Sequence, residues 1–179
     1  RPNKITNNDV LQAFMSTSKE KFVSEDKINI CYSDQDIFIK DQRGYLKNLH
    51  LAQILHYAEI KNSENVLHIG GLTGYLSVLI AKLCNKIYVT DNDQSFVESI
   101  IQNFKNNEVT NGKVLKEEFS KGLINEGPYD LIIIDCPQYH FNLDLLNQVN
   151  VGGRIIYIEK INEELSKAYK MIKYEDNFS

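Results

Sequence analysis

The segment Tyr129-Asp130-Leu131-Ile132-Ile133-Ile134-Asp135 sets four consecutive aliphatic residues between two acids. A strand turns successive side chains to opposite faces, so this one can present neither face to water. It reads as a buried central strand, and the sheet that holds it needs helices on both faces. Similar short apolar runs are Asn65-Val66-Leu67-His68-Ile69-Gly70, Lys86-Ile87-Tyr88-Val89-Thr90-Asp91, Lys113 to Lys116 and Gly153-Arg154-Ile155-Ile156-Tyr157-Ile158, with a sixth candidate over Ala168 to Tyr174. Helical spacing falls between them, at Tyr75 to Leu83, Gln94 to Asn103 and Phe141 to Gln148. Strands alternating with helices predict an α/β fold, a mostly parallel, Rossmann-like sheet with right-handed crossovers. Ligands of such sheets sit outside the carboxyl ends of the strands, so the residues that end each strand are the ones to inspect.

The first run ends in Gly70-Gly71-Leu72-Thr73-Gly74 and leads into a helix. Glycines let the backbone turn tightly and approach a ligand, and the helix start offers free N–H groups. The second run ends at Asp91, about 20 residues beyond the first, the spacing at which a carboxylate accepts both hydroxyls of a ribose. Asp91-Asn92-Asp93 also suits a helix cap. After the third run come Glu117-Glu118-Phe119, an acid able to accept from an adenine amine and an aromatic able to cover the ring. The fourth run ends in Asp135-Cys136-Pro137 at the mouth of the same cleft.

Residues 1 to about 60 form a helical lead-in ahead of the core at 61–179, the whole making one compact domain. Val10, Leu11, Phe14 and Met15 have helical spacing behind a cap at Asn7 or Asn8, Ile37-Phe38-Ile39 is strand-like, and Leu49 to Ala58 is helical with Leu51, Ala52, Ile54 and Leu55 on one side. The 179 residues suffice for one sizeable core. A net charge of −4 excludes a generally basic protein that coats nucleic acid, and no apolar run reaches the roughly 18 residues of a membrane span. No signal peptide is visible, though the chain begins at Arg1 and leaves room for a preceding piece. Cys31, Cys84 and Cys136 are odd in number and far apart, which fits a reducing, cytoplasmic setting and no disulfide framework. The four histidines make no metal-ligand pattern. The expectation is therefore no metal, no nucleic acid and no membrane, and a monomer.

Taken together, these motifs resemble the class I S-adenosylmethionine-dependent methyltransferases and, more narrowly, the protein-L-isoaspartate O-methyltransferase family. Lys19-Glu20-Lys21-Phe22-Val23 is similar to the family's "PRE-x-FV" turn, and Val66-Leu67-His68-Ile69-Gly70-Gly71-Leu72-Thr73-Gly74-Tyr75 to its "VLEIGTGSGY". Glu117 to Gly122 sits where the family has "GDG-x-x-G". Pro128 to Ile134 resembles "PYDAIIV", and Gly152 to Ile156 resembles "GGRLV". The resemblance implies a cofactor site of His68, Gly70, Gly71, Leu72, Thr73, Gly74, Asp91, Asn92, Glu118, Phe119 and Asp135. It implies S-adenosylmethionine as donor, S-adenosylhomocysteine as product and a peptide or protein isoaspartyl carboxylate as acceptor.

The chain departs from the pattern where chemistry is concentrated. His68 replaces the acid of the glycine motif, and Leu72 replaces its central glycine, where the side chain would crowd the cofactor or redirect the loop. The substrate loop "GQTISQP" becomes Gln42-Arg43-Gly44-Tyr45-Leu46-Lys47-Asn48, closer to a divergent, mainly alphaproteobacterial branch with an Arg and a Leu there. Arg43, Tyr45 and Leu46 are the substrate-side candidates, and Arg43 could hold the substrate carboxylate in place of the lost Ser. Two other readings stand beside this one. One is a degenerate, non-catalytic binding protein; the other is an amino-group methyltransferase, because Asp135-Cys136-Pro137-Gln138-Tyr139 is similar to "DPPY" with one residue too many. The chain also looks short for a family whose sheet closes with an antiparallel strand.

Overall fold

A computed structural model describes residues 5–40, 43–162, 165–175 and 177–179. In chain order it comprises α1 (Asn8–Met15), β1 (Ile37–Lys40), β2 (Arg43–Tyr45), α2 (Asn48–Ala58), β3 (Asn65–Ile69), α3 (Tyr75–Ala81), β4 (Lys86–Asp91), α4 (Gln94–Asn106), β5 (Gly112–Lys116), β6 (Tyr129–Gln138), β7 (Val149–Lys160) and β8 (Ser166–Ile172). Short 3-10 turns fill several of the connections. Strands β3 to β8 form one sheet in the order β5-β4-β3-β6-β7-β8, and β1 pairs with β2 in a separate antiparallel hairpin. The pairs β3–β4, β4–β5, β3–β6 and β6–β7 are parallel. The chain therefore winds outward from β3 to β5, then returns to the other side of β3. That reversal opens a crevice at the carboxyl ends of β3 and β6.

Alternation along the strands divides the core in two. Val66, Val89, Leu131, Ile133 and Ile156 face one way and pack with α2, α3 and α4 through Leu51, Leu55, Leu76, Leu79, Ile100 and Phe104. Leu67, Ile69, Ile132, Ile134 and Ile155 face the other way, against Leu145 and Leu146. Both faces are covered, but the second by 3-10 turns at Ile124–Glu126 and Leu143–Gln148. The α-helix expected over Phe141 to Gln148 is thus a 3-10 turn. Its six residues are capped by Asn142, whose side chain accepts from the N–H of Asp144, and end in extended Val149, which starts β7. Of the apolar positions read in α1, Val10 is buried, Leu11 and Phe14 pack partly buried against the core, and Met15 is 79% exposed. Asn7 caps α1, accepting from the N–H of Asp9 and Val10. The sixth strand is β8, and it is antiparallel to β7 at the sheet edge, with Tyr157 opposite Tyr169. Among the described residues no helix is long and apolar enough to cross a membrane.

One buried cation fixes the lead-in to the sheet, and a second braces it internally and against α3. Arg154 of β7 donates from Nη1 and Nη2 to Glu64 at 3.0 and 2.9 Å, from Nε to the carbonyl of Ala58 at 2.5 Å, and from Nη2 to that of Glu59 at 2.9 Å. Those carbonyls end α2, where Glu59 takes the left-handed conformation. Lys19 is wholly buried; its Nζ donates to Asn48 Oδ1 at 2.9 Å and lies 5.7 and 5.5 Å from the ring centroids of Tyr45 and Tyr75.

Burial lowers the Lys19 ammonium from its ordinary 10.5 to about 8. Between those values the unfolded chain holds a proton that the folded chain has lost, so this group's contribution to stability rises with pH. Burial raises Cys84 and Cys136 from 9.0 to about 12, which acts in the opposite direction as pH approaches and passes 9.0. Between pH 8 and pH 9 the urea midpoint of the parent is therefore expected to rise relative to that of Lys19→Met, because only the parent carries the Lys19 contribution against the common one of the thiols. Identical pH profiles for the two proteins would contradict this.

Candidate active site

The turn after β3 lies at the crevice. Gly70 has φ +90°, and a Cβ there would come within 2.7 Å of Cys136 Sγ, so the turn admits only glycine. The N–H groups of Gly70 and Gly71 donate to the carbonyl of Thr90, tying the turn to β4. Leu72 has φ 51° and is 3% exposed. It adopts the left-handed conformation a glycine favours and turns its side chain into the core beneath α3 and α4. The expected crowding of the crevice by Leu72 is thereby corrected. Gly74, φ +93°, starts α3.

A chain of hydrogen bonds holds this turn from the lead-in. The N–H of Tyr75 donates to Tyr45 Oη at 3.0 Å, and Thr73 Oγ1 donates to the carbonyl of Phe22 at 2.6 Å. Tyr45 Oη lies 2.7 Å from Thr73 Oγ1 and so must donate to it. Tyr45 is 1% exposed, and burial raises the pKa of its phenol. It braces the glycine turn and is withdrawn from the substrate side where it was expected. Leu46 is half-buried against the core, and its carbonyl accepts from Lys19 Nζ. Gln42 lies outside the described residues.

Asp91 ends β4 and is 0% exposed. Its Oδ2 accepts from the N–H of Leu72 at 3.0 Å and from Arg43 Nη2 at 2.7 Å. Its Oδ1 accepts from the N–H of Asp93 and from Arg43 Nη1, both at 3.0 Å. The guanidinium of Arg43 lies between two rings, 5.0 Å from the centroid of Phe96 and 4.8 Å from that of Phe119. The acid expected to hold a ribose, the aromatic expected to cover an adenine and the arginine expected to face the substrate thus meet in one stack. Arg43 Nε is buried there with no hydrogen-bond partner. Asn92 and Glu118 lie exposed at the rim. The cap of α4 is Asp93, which accepts from the N–H of Ser95 at 2.8 Å and takes Lys40 Nζ at 2.6 Å.

His68 does not reach the crevice. It is 0% exposed, with Nδ1 2.8 Å from Ser77 Oγ and Nε2 3.0 Å from Asp135 Oδ1. An ionised Asp135 only accepts, so Nε2 carries the proton and Nδ1 accepts from the Ser77 hydroxyl. A neutral imidazole therefore satisfies both neighbours, and the expected contact of His68 with a cofactor is corrected. The acid near the glycine turn is Asp135, 7% exposed, supplied by β6 instead of β3. Ser77 was not foreseen; its place two residues into the helix after the glycine turn was the available signal. His68→Ala is expected to cost about 2 kcal/mol, because it leaves a buried carboxylate and a buried hydroxyl unpaired. Urea unfolding checks this, and a change within error would contradict it. Burial raises the Cys136 thiol to about 12, so it stays protonated. The "DPPY"-like reading loses its turn, because β6 runs on as strand to Gln138. Among the described residues no three His, Cys, Asp or Glu side chains gather as a metal site.

Comparison with known proteins gives one consistent neighbourhood. The family model described as Protein-L-isoaspartate(D-aspartate) O-methyltransferase (PCMT) matches residues 1–177. A Brucella anthropi protein-L-isoaspartate O-methyltransferase is 29% identical over 147 residues, 82% of this chain and 68% of that one. An Ignicoccus hospitalis protein of the same name is 25% identical over 177 residues, 97% of this chain and 84% of that one. A solved structure named protein-L-isoaspartate O-methyltransferase superposes with a TM-score of 0.82 at 16% identity, over 97% of this chain but only 59% of its own. A Plasmodium falciparum structure described as a beta-aspartate methyltransferase (PCMT), in complex with S-adenosyl-L-homocysteine, superposes with a TM-score of 0.78 at 17% identity, over 96% of this chain and 84% of its own.

Proposed function

The chain belongs to the protein-L-isoaspartate(D-aspartate) O-methyltransferase family, and on that premise we propose that it transfers a methyl group from S-adenosylmethionine to the free carboxylate of an isoaspartyl residue in a peptide or protein. One observation carries the cofactor assignment. Asp91, at the end of β4, is held from below by the N–H groups of Leu72 and Asp93 and presents both oxygens to one two-pronged donor. Arg43 supplies two N–H groups there; a ribose diol supplies two O–H groups to the same oxygens. The residues present therefore fit the cofactor. Asp91 would hold the ribose, Phe119 would cover the adenine, and Asn92 and Glu118 would line the rim. The turn from Gly70 to Gly74 and Asp135 would face the methionine part.

When bound, the cofactor supplies a sulfonium methyl, already an activated electrophile. The acceptor carboxylate is ionised at neutral pH, so no strong base is required of the chain. What remains is alignment, which binding two partners in one geometry provides. The three cysteines, all free and buried, support a reducing, cytoplasmic setting. Calorimetric titration with S-adenosylhomocysteine tests the cofactor assignment. Saturable binding that Asp91→Asn weakens roughly a hundredfold is expected. Absence of binding up to millimolar ligand, in this chain and in one lacking Arg43, would overturn it.

A further inference from the structure

We propose that Arg43 exchanges one carboxylate for another during the reaction cycle: it covers Asp91 until the cofactor displaces it, and then binds the carboxylate of the methyl acceptor. This rests on the cofactor assignment above and adds an order of binding to it. The guanidinium occupies both outward acceptor positions of Asp91 and the space between Phe96 and Phe119. A ribose diol and a flat base need those same two oxygens and the same Phe119 face. The two occupants exclude each other.

The geometry also shows how Arg43 can leave. It begins β2, a strand of three residues paired only with the four-residue β1, outside the main sheet. The hairpin's base is fixed, with Ile37 and Tyr45 each 1% exposed. Its far part carries exposed Phe38 and the half-exposed Lys40, which pairs with Asp93. The seat satisfies the two terminal nitrogens of Arg43 but not Nε, which regains a hydrogen bond on reaching water. The displacing diol is neutral, so displacement leaves a cation without its anion at the mouth of the cleft. The acceptor is a carboxylate, and a guanidinium binds carboxylates through two parallel hydrogen bonds. Cofactor binding thereby creates the acceptor's binding group.

The decisive test is Arg43→Gln, read in two assays whose expected changes have opposite sign. Affinity for S-adenosylhomocysteine is expected to rise tenfold or more, because the competitor is gone. The KM for an isoaspartyl peptide is expected to rise by a similar factor, with a smaller change in kcat. Lys40→Ala serves as the second variant, since it loosens the hairpin and leaves Asp91 and Arg43 in place. A few-fold rise in cofactor affinity with unchanged peptide KM is expected of it. Unchanged or weaker binding of S-adenosylhomocysteine by both variants would overturn the competition. Tighter binding with an unchanged peptide KM in Arg43→Gln would overturn the acceptor role. If neither variant nor the parent binds S-adenosylhomocysteine, the cofactor assignment itself fails, an outcome distinct from the other two.

Discussion

Asp91→Asn is expected to lower affinity for S-adenosylhomocysteine roughly a hundredfold and to cost about 3 kcal/mol of folding stability. Both effects have one cause. The carboxylate accepts two backbone N–H groups and both terminal nitrogens of Arg43, so all of its acceptor positions are filled. An amide of the same shape must turn its NH2 towards one of those donors, and it leaves the guanidinium without its counter-charge. The double variant Asp91→Asn with Arg43→Gln separates the two losses. Stability is expected to recover in large part, since the unpaired cation is gone, while cofactor affinity stays low because the diol still lacks its acceptor. Urea unfolding and calorimetry on the four proteins of the cycle check this. Additive losses of stability would show that Arg43 and Asp91 are not coupled.

Arg154→Ala is expected to be the most damaging single change to the fold, at about 3 to 5 kcal/mol. Glu64, beside it, is 8% exposed and would be left as an uncompensated buried anion. The carbonyls of Ala58 and Glu59 would lose their donors at the end of α2, where intrahelical partners have run out. For a chain of this length the change corresponds to a fall in Tm of roughly 10 °C. Arg154→Lys is expected to rescue little, because an ammonium cannot span two carboxylate oxygens and two carbonyls at once. A thermal shift of a degree or two for Arg154→Ala would contradict the account of how the lead-in is held to the sheet.

Much of the architecture can be read from periodicity. The run Leu131 to Ile134 requires burial on both faces, and β6 is central to the sheet. Asp91 follows from its spacing to the glycine turn, and it does end β4. What could not be read depends on contacts between distant parts of the chain. Arg43 and Asp91 are 48 residues apart, and no local pattern links a hairpin arginine to a strand-end acid. His68 and Asp135 are 67 apart, so the pairing of that histidine with the acid on the neighbouring strand was hidden in the same way. The conformation of Leu72 escaped for another reason. Leucine at a positive φ is uncommon, and only burial of its side chain in the core makes it tolerable here. Between Asn142 and Val149 the apolar residues suited a helix, and their spacing does not distinguish an α-helix from the 3-10 turn that forms.

The most direct test of the central claim is methyl transfer itself. The purified chain is incubated with methyl-labelled S-adenosylmethionine and a peptide carrying an isoaspartyl residue, beside the same peptide with ordinary aspartate. The account predicts a base-labile methyl ester on the isoaspartyl peptide alone. No label in that peptide, under conditions where S-adenosylhomocysteine binds, would contradict it and leave a cofactor-binding module without the transfer reaction.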